Sequence, residues 1–62
     1  MNIIEAFQEA IKGNKVRPVN GDRFYYFKNG IARQSIADTI ATVPASFIIH
    51  SDGSPVEWEI IS

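Results

Sequence analysis

The fold of this chain is decided by the stretch Arg23-Phe24-Tyr25-Tyr26-Phe27-Lys28-Asn29-Gly30-Ile31-Ala32-Arg33. Four consecutive aromatic residues followed by Asn-Gly predict a β-strand that runs into a two-residue type I′ turn, because Asn and Gly tolerate the positive φ angles of that turn. The cross-strand pairs predicted for this hairpin are Lys28 with Ile31, Phe27 with Ala32, and Tyr26 with Arg33.

Both faces of this hairpin carry aromatic side chains. Because side chains alternate across a strand, Phe24 and Tyr26 lie on one face, whereas Tyr25 and Phe27 lie on the other. A chain of 62 residues has enough apolar helix surface for only one of these faces. We therefore expect the second face to be covered by a partner subunit or by a ligand.

The composition indicates a single small domain spanning residues 1 to 62, without cysteine. Such a domain is near the size at which one core is only marginally stable without metals, disulfides or association. Six basic and seven acidic residues nearly cancel, so no global field attracts a nucleic acid polymer or a membrane, although a local basic patch stays open. No signal peptide or span of about 20 apolar residues is evident, so we expect a cytoplasmic protein.

The N-terminal residues predict a helix. Asn2 is placed as an N-cap, and Glu5 three residues later completes a variant of the capping box, so the helix should begin at Ile3. Gly13 can adopt the left-handed conformation that ends a helix, which places the end near residue 12. The apolar stripe of this helix is predicted to consist of Ile3, Ala6, Phe7, Ala10 and Ile11.

Two arginines flank the loop before the aromatic strand. The segment before Pro18 should be extended, and Pro18, which lacks an N–H donor, should lie on an edge strand or at a strand end. An Asn-Gly turn would then bring Arg17 close to Arg23, where the two could form a small anion site. The alternative is that both arginines pair with acids of the last strand, Glu57 or Glu59.

The residues after the hairpin fit two local structures. Ser35 resembles an N-cap, so residues 36 to 41 are expected to form a short helix. The β-branched residues Thr39, Thr42 and Val43 would suit a strand equally well.

The remaining residues predict two further strands. Residues 47 to 50 should form a buried strand, residues 51 to 55 a turn, and residues 56 to 61 a closing strand that directs Trp58 toward the helix. The fold class is therefore α+β: an N-terminal helix packed on a small antiparallel β-sheet, with a short helical or irregular insert before the last two strands.

No catalytic or metal-binding pattern stands out. His50, the only histidine, precedes Ser51 and Asp52, but consecutive residues rarely assemble a catalytic triad, and turn formation explains them better. One histidine without cysteine cannot build a zinc site, and no acidic spacing matches a calcium loop. We expect neither an enzyme nor a cofactor.

Aromatic residues beside positive charge are the feature that points to a ligand. Arg23, Lys28 and Arg33 accompany the aromatic strand, and proteins hold single-stranded nucleic acids and free nucleotides in this manner. The phenylalanines favour a core or interface role. Tyr25 and Tyr26 suit the core and a ligand site equally well, because a phenol hydroxyl needs a partner or water.

Four segments carry a resemblance to a known family. They are the aromatic strand and the runs Ile4-Glu5-Ala6-Phe7, Lys12-Gly13-Asn14-Lys15-Val16-Arg17 and Glu57-Trp58-Glu59-Ile60-Ile61. Through them the chain resembles the Thoeris anti-defence domain family of phage proteins. The resemblance implies a non-enzymatic homo-oligomer that acts in the host cytoplasm. It would capture a cyclic nucleotide immune signal, a cyclised ADP-ribose derivative, in pockets formed between chains.

The resemblance also contributes to the expected ligand site. It matches Arg17 to the family's basic residue after a Lys-Val pair, and Trp58 to the family's C-terminal tryptophan. Arginines are expected to bind phosphate through charge-assisted hydrogen bonds, a tyrosine to stack on a base, and an asparagine to add polar contacts. The expected ligand-binding residues are Arg17, Asn20, Arg23, Tyr25, Tyr26 and Trp58.

Two alternatives to this function stay open. Family members continue the basic run with a second basic residue and a Gly-Trp pair, where this chain has Pro18-Val19-Asn20-Gly21-Asp22, so the ligand is this nucleotide, another nucleotide or none. The chain could instead be a small inhibitor that docks on a host defence enzyme through an exposed aromatic face. A third hypothesis is an accessory domain whose aromatic face serves only self-association.

Overall fold

The computed structural model describes residues 1–61 as one helix on a five-stranded antiparallel sheet, the α+β fold that the sequence predicts. The elements are α1 (Ile3–Ile11), β1 (Lys15–Pro18), β2 (Tyr25–Lys28), β3 (Ile31–Gln34), β4 (Thr39–Ile40), a 3₁₀ turn (Ala45–Phe47) and β5 (Trp58–Ile61). The strand order is β4-β3-β2-β1-β5. Within residues 1–61, no helix combines the length and the apolar character that a membrane crossing needs.

The predicted bounds of α1 are confirmed. The Asn2 side chain accepts a hydrogen bond from the Glu5 N–H at 2.9 Å, and the Glu5 carboxylate accepts one from the Asn2 N–H at 3.0 Å. This capping box satisfies two donors that a helix N-terminus otherwise leaves free. Gly13 ends the helix with a φ of 107°, and its N–H donates to the Ala10 carbonyl at 3.0 Å.

α1 packs on the sheet through small residues and one aromatic ring. Ala6 and Ala10 are buried, which lets the helix approach the strands closely. The ring centroid of Phe7 lies 6.0 Å from that of Tyr25 and 5.8 Å from that of Trp58. Ile11 was predicted to lie in the apolar stripe of α1, and this prediction was wrong, because Ile11 is 68% exposed. At 100° per residue, Ile11 lies about 90° around the helix from the centre of the face formed by Ala6, Phe7 and Ala10.

The predicted hairpin of β2 and β3 is confirmed in its turn and in its register. Asn29 and Gly30 have φ angles of 54° and 77°, as a type I′ turn requires. The observed pairs extend the predicted ones by one and are Tyr25 with Gln34, Tyr26 with Arg33, Phe27 with Ala32, and Lys28 with Ile31.

The predicted short helix over residues 36 to 41 is wrong. The chain instead turns back on β3 as a second hairpin, whose turn residues Ala37 and Asp38 have φ angles of 54° and 53°. Thr39 and Ile40 then pair with Gln34 and Arg33. The β-branched side chains of Thr39 and Ile40 prefer this extended pairing, and the edge of β3 offers it.

The predicted buried strand over residues 47 to 50 is also wrong. Residues 45–47 form the 3₁₀ turn, and Ile49 makes only an isolated bridge to Pro55. We attribute this difference to a tertiary contact. The buried indole of Trp58 needs a hydrogen-bond acceptor, and its Nε1 donates to the Phe47 carbonyl at 3.0 Å. The irregular insert therefore precedes one strand rather than two.

The core lies between α1 and the sheet. Its buried residues are Ala6, Ala10, Val16, Tyr25, Val56 and Trp58. Trp58 faces the helix, as its position in the last strand predicts. Pro18 is the last residue of β1, so it lies at a strand end, one of its two expected places. The other place is not the one observed, because β1 pairs with β2 on one side and with β5 on the other. After Pro18, the Val19 N–H donates to the Glu57 carbonyl at 2.9 Å.

Candidate ligand-binding face

The sheet face opposite α1, which we name the outer face, is open to solvent. Residues that pair across antiparallel strands point to the same face, and Val16 pairs with Tyr25 under the helix, so their sequence neighbours point outward. The helix and the segment 41–47 both pack on the core side. The outer-face residues are Lys15, Arg17, Phe24, Tyr26, Lys28, Ile31, Arg33, Ile40, Glu59 and Ile61.

One row of side chains crosses all five strands of the outer face. Tyr26 pairs with Arg33, and Arg33 pairs with Ile40. On the other side, the register of Val16 with Tyr25 places Lys15 opposite Tyr26, and Lys15 pairs with Ile61. The resulting order is Ile61, Lys15, Tyr26, Arg33, Ile40. An aromatic ring therefore lies between two cationic side chains at the centre of the sheet.

A second aromatic ring lies beside this row. The ring centroids of Phe24 and Tyr26 are 5.8 Å apart, and Lys15 Nζ lies 5.2 Å from the centroid of Phe24. Arg17, on the same face, forms an ion pair with Glu59 across β1 and β5, with 2.6 Å between Nε and Oε2. The outer face thus offers two stacking platforms within reach of positive charge.

Asp38 holds one border of the outer face together. Its carboxylate accepts hydrogen bonds from the Tyr26 hydroxyl and, at 2.9 Å, from Lys28 Nζ, and its carbonyl accepts one from Arg33 Nη1 at 3.0 Å. The Tyr26 hydroxyl and then Lys28 lower the pKa of the Asp38 carboxyl, and the same hydrogen bond raises the pKa of Tyr26. The left-handed turn at Asp38 therefore fixes the tyrosine ring and two cations in place.

Charge is segregated between the outer face and the rest of the chain. The outer face and its border carry four of the six basic side chains but only two of the seven acidic ones, Asp38 and Glu59. The outer face and its border therefore carry a net charge of +2 and the rest of the chain carries −3, which together give the net charge of −1. A local basic patch is therefore present, and it favours an anionic ligand.

Two of the six expected ligand-binding residues lie in the core. Tyr25 and Trp58 are 1% and 2% exposed, and their ring centroids are 5.4 Å apart. The Tyr25 hydroxyl donates to the Thr42 carbonyl at 3.3 Å, and burial raises its pKa. Both side chains have core partners and lie on the side of the sheet away from the outer face.

Arg17 and Arg23 do not form the small anion site that the sequence left open. Arg23 Nη1 donates to Gln34 Oε1 at 3.2 Å, on the side of the sheet that faces the helix, because Gln34 pairs with Tyr25. Arg17 lies on the outer face and pairs with Glu59, as the alternative expectation had it. Asn20 is exposed in the turn between them, with a φ of 67°.

Arg17 and Tyr26 are thus the expected residues that the structure brings to one face. Lys15 and Phe24 also lie on this face, although the sequence does not mark them as ligand-binding residues. The alternation of side chains along a strand is enough to place Phe24 on the same face as Tyr26. Lys15 could be found only from the pairing of β1 with β2, to which the sequence gives no register.

No enclosed site accompanies this face. Residues 1–61 form no pocket and no cluster of side chains able to hold a metal ion. The Asp52 carboxylate accepts hydrogen bonds from the Ser54 N–H at 2.9 Å and the Ser54 hydroxyl at 2.6 Å, and these bonds lower its pKa. As predicted, Asp52 serves turn formation.

A comparison of the chain with protein-family models, curated proteins and solved structures found no match. Its function is therefore inferred from the outer face and from the sequence resemblance.

Proposed function

We propose that this protein captures a cyclic nucleotide or a cyclic ADP-ribose-type second messenger on its outer face and holds it without cleaving it. In this proposal it is a phage counter-defence protein that acts in the host cytoplasm, as the sequence resemblance implies. The observation that carries the proposal is the position of Tyr26 between Lys15 and Arg33 at the centre of an open sheet face.

Each part of a nucleotide has a partner in this row. A base stacks on the Tyr26 ring, which its hydrogen bond to Asp38 keeps in one orientation. Phosphate oxygens accept charge-assisted hydrogen bonds from Lys15 on one side and Arg33 on the other. Arg33 contributes a planar guanidinium that matches phosphate geometry.

The flatness of the outer face argues for a second copy of the chain. Ligand sites bury about 70 to 90% of a small molecule, and residues 1–61 enclose no pocket. Two outer faces, each with an excess of positive charge, repel each other when bare. An anionic ligand between them removes that repulsion, so the ligand and the second copy complete the site together.

Native mass spectrometry tests this proposal. The protein is measured alone and with a panel of cyclic nucleotides and cyclic ADP-ribose isomers. We expect one panel member to join copies of the chain in a complex of fixed stoichiometry, and chromatography to recover that member unchanged. An absence of binding to every panel member would reject the proposal, and a cleaved ligand would reject capture without catalysis.

A matched pair of variants assigns the binding to the outer face. Tyr26→Leu removes the ring and should lower the affinity at least about fivefold, since stacking on an aromatic residue is worth about 1 to 3 kcal/mol per base. Gln8→Leu makes a substitution of similar size on the exposed surface of α1 and should bind as the unmodified chain does. Equal binding by Tyr26→Leu would place the ligand elsewhere.

One observation favours a second candidate function, that of a protein-binding inhibitor of a host defence enzyme. Ile40 is 67% exposed and Ile31 is 45% exposed on the outer face, and apolar side chains beside aromatic rings are typical of protein interfaces. Affinity purification from host lysate tests it. A stoichiometric complex with one host protein, lost in Ile40→Ser and free of bound nucleotide, would support this candidate.

A further inference from the structure

The outer face is larger than one nucleotide needs. The row from Ile61 to Ile40 crosses five strands, which at about 4.8 Å per strand spans roughly 19 Å. Phe24 adds a second ring beside Tyr26. We propose that the outer face also binds single-stranded nucleic acid, with consecutive bases on Tyr26 and Phe24 and the backbone along the cationic side chains. This goes beyond the proposed function, although it uses the same face.

The two rings are suited to bases of a single strand. Unstacked bases of a strand bind on aromatic side chains of an open sheet face, and this stacking tolerates any sequence. The ring centroids of Phe24 and Tyr26 are 5.8 Å apart, and both rings lie on the outer face. A duplex keeps its bases stacked inside, so the same rings offer it no comparable contact.

Two of the four cations on this face are available to phosphates. Arg17 and Lys28 form ion pairs with Glu59 and Asp38. Among residues 1–61, Lys15 and Arg33 form no ion pair: Lys15 lies over the Phe24 ring, and Arg33 donates to the Asp38 carbonyl rather than to its carboxylate. The Nε of Arg33 is buried without a hydrogen-bond partner in the same part of the chain.

A polymer also fits a flat face better than a small ligand does. A single nucleotide on an open surface buries little of its area, whereas a strand adds contacts at each further base and phosphate. The small net charge of the chain predicted no nucleic acid partner, but that charge is unevenly divided. The segregation of +2 on this side from −3 on the remainder gives a polyanion a preferred face.

Fluorescence anisotropy measures this binding directly. The probes are labelled oligothymidylate and oligouridylate strands of about 12 nucleotides, a length within the range that small single-strand-binding folds occupy, and a duplex of equal length. We expect the single strands to bind more tightly than the duplex. If Lys15 and Arg33 contact phosphates, the slope of log K against log salt should be about −1.4, since each contact contributes about −0.7.

Substitutions with matched charge separate the outer face from nonspecific attraction. Arg33→Gln and Lys12→Gln each remove one positive charge, but Lys12 lies at the end of α1 with a side chain that is 68% exposed. Arg33→Gln should weaken strand binding about tenfold, whereas Lys12→Gln should change it less than twofold. Tyr26→Leu should weaken binding more than Tyr26→Phe does, because Phe keeps the ring and loses only the hydrogen bond to Asp38. Equal effects of Arg33→Gln and Lys12→Gln would overturn the proposal.

A gain of binding provides a readout that damage to the fold cannot produce. Glu59→Gln releases Arg17 from its ion pair, so we expect severalfold tighter strand binding and a salt slope steeper by about 0.7. Unchanged binding in this variant, or no binding of single strands to the unmodified chain, would reject the proposal. Competition with the cyclic nucleotide panel keeps the two proposals distinct: strand binding alone rejects messenger capture, and messenger binding alone rejects this inference.

Discussion

The Tyr26 hydroxyl donates a hydrogen bond to the Asp38 carboxylate, which joins the aromatic strand β2 to the turn after β3. This bond is the largest cause of two opposite shifts, because it lowers the pKa of Asp38 and raises the pKa of Tyr26. Both shifts favour the native pair of a neutral phenol and a charged carboxylate. The stability of the outer face should therefore fall in acid, where Asp38 becomes protonated, and in alkali, where Tyr26 loses its proton.

The first prediction concerns acid. Because the pKa of Asp38 is lower in the folded chain than its ordinary value of 3.8, its contribution to the free energy of unfolding is present above 3.8. That contribution is lost as the pH falls toward the lowered pKa. In Asp38→Asn, the free energy of unfolding should not show this decrease at low pH. Urea unfolding of both proteins, from neutral pH to below 3.8, measures the difference.

The alkaline side provides the control for this prediction. The pKa of Tyr26 is raised above 10.0, so its contribution is present below 10.0 and is lost as the pH rises through the raised value. Tyr26→Phe should remove this alkaline loss and also reduce the acid loss. If Asp38→Asn keeps the acid dependence of the unmodified protein, the hydrogen bond does not hold the turn in solution.

The second prediction concerns the backbone of the same turn. Ala37 has a φ of 54°, a left-handed conformation that is costly for a residue with a Cβ atom and free of that cost for glycine. Ala37→Gly should therefore raise the free energy of unfolding by about 0.5 to 1 kcal/mol. Ala45→Gly is the matched control: Ala45 is an exposed alanine in the right-handed 3₁₀ turn, where glycine should destabilise. Destabilisation by both variants would contradict the left-handed turn.

The third prediction separates two apolar residues of α1 that the sequence pattern treats alike. Phe7 contacts the rings of Tyr25, Phe27 and Trp58, so Phe7→Ala should cost about 3 kcal/mol or more. Ile11→Gln should change stability by less than about 0.5 kcal/mol, because Ile11 is largely exposed. Chemical denaturation followed by circular dichroism measures both, and a large cost at Ile11 would show that its side chain is covered, for example by a second copy.

The parts of the fold that could be predicted depend on neighbouring residues. Asn2 and Glu5 form a capping box within one turn, and Asn29 with Gly30 specifies a turn and the register on both sides of it. The apolar run after Ser46 could not be predicted in this way. Its backbone follows a distant requirement, the hydrogen bond from the Trp58 indole to the Phe47 carbonyl.

The candidate site could be predicted only in part for a related reason. Tyr25 and Tyr26 are adjacent and lie on opposite faces of β2, so strand alternation separates them but does not say which face the helix covers. That choice places Tyr25 in the core and Tyr26 outside. Lys15 joins Tyr26 through the pairing of β1 with β2, which depends on the whole sheet.

The last prediction uses the two arginines that the sequence placed together and the structure separates. Arg17 lies on the outer face beside Glu59, whereas Arg23 donates to Gln34 on the opposite side of the sheet. Arg17→Ala and Arg23→Ala remove the same charge, so any effect of net charge is equal in the two variants. Differences in ligand affinity between them therefore report position.

Arg17→Ala should weaken binding of the nucleotide found by mass spectrometry severalfold, because it leaves the Glu59 carboxylate unpaired on the outer face, where that charge repels an anionic ligand. Arg23→Ala should leave the affinity nearly unchanged. Isothermal titration calorimetry, with circular dichroism to confirm that both variants fold, measures the two affinities. The opposite ranking would move the ligand from the outer face to the loop around Asn20, where Arg23 begins the aromatic stretch. Equal losses would mean that the ligand responds to net charge and that neither face holds it specifically.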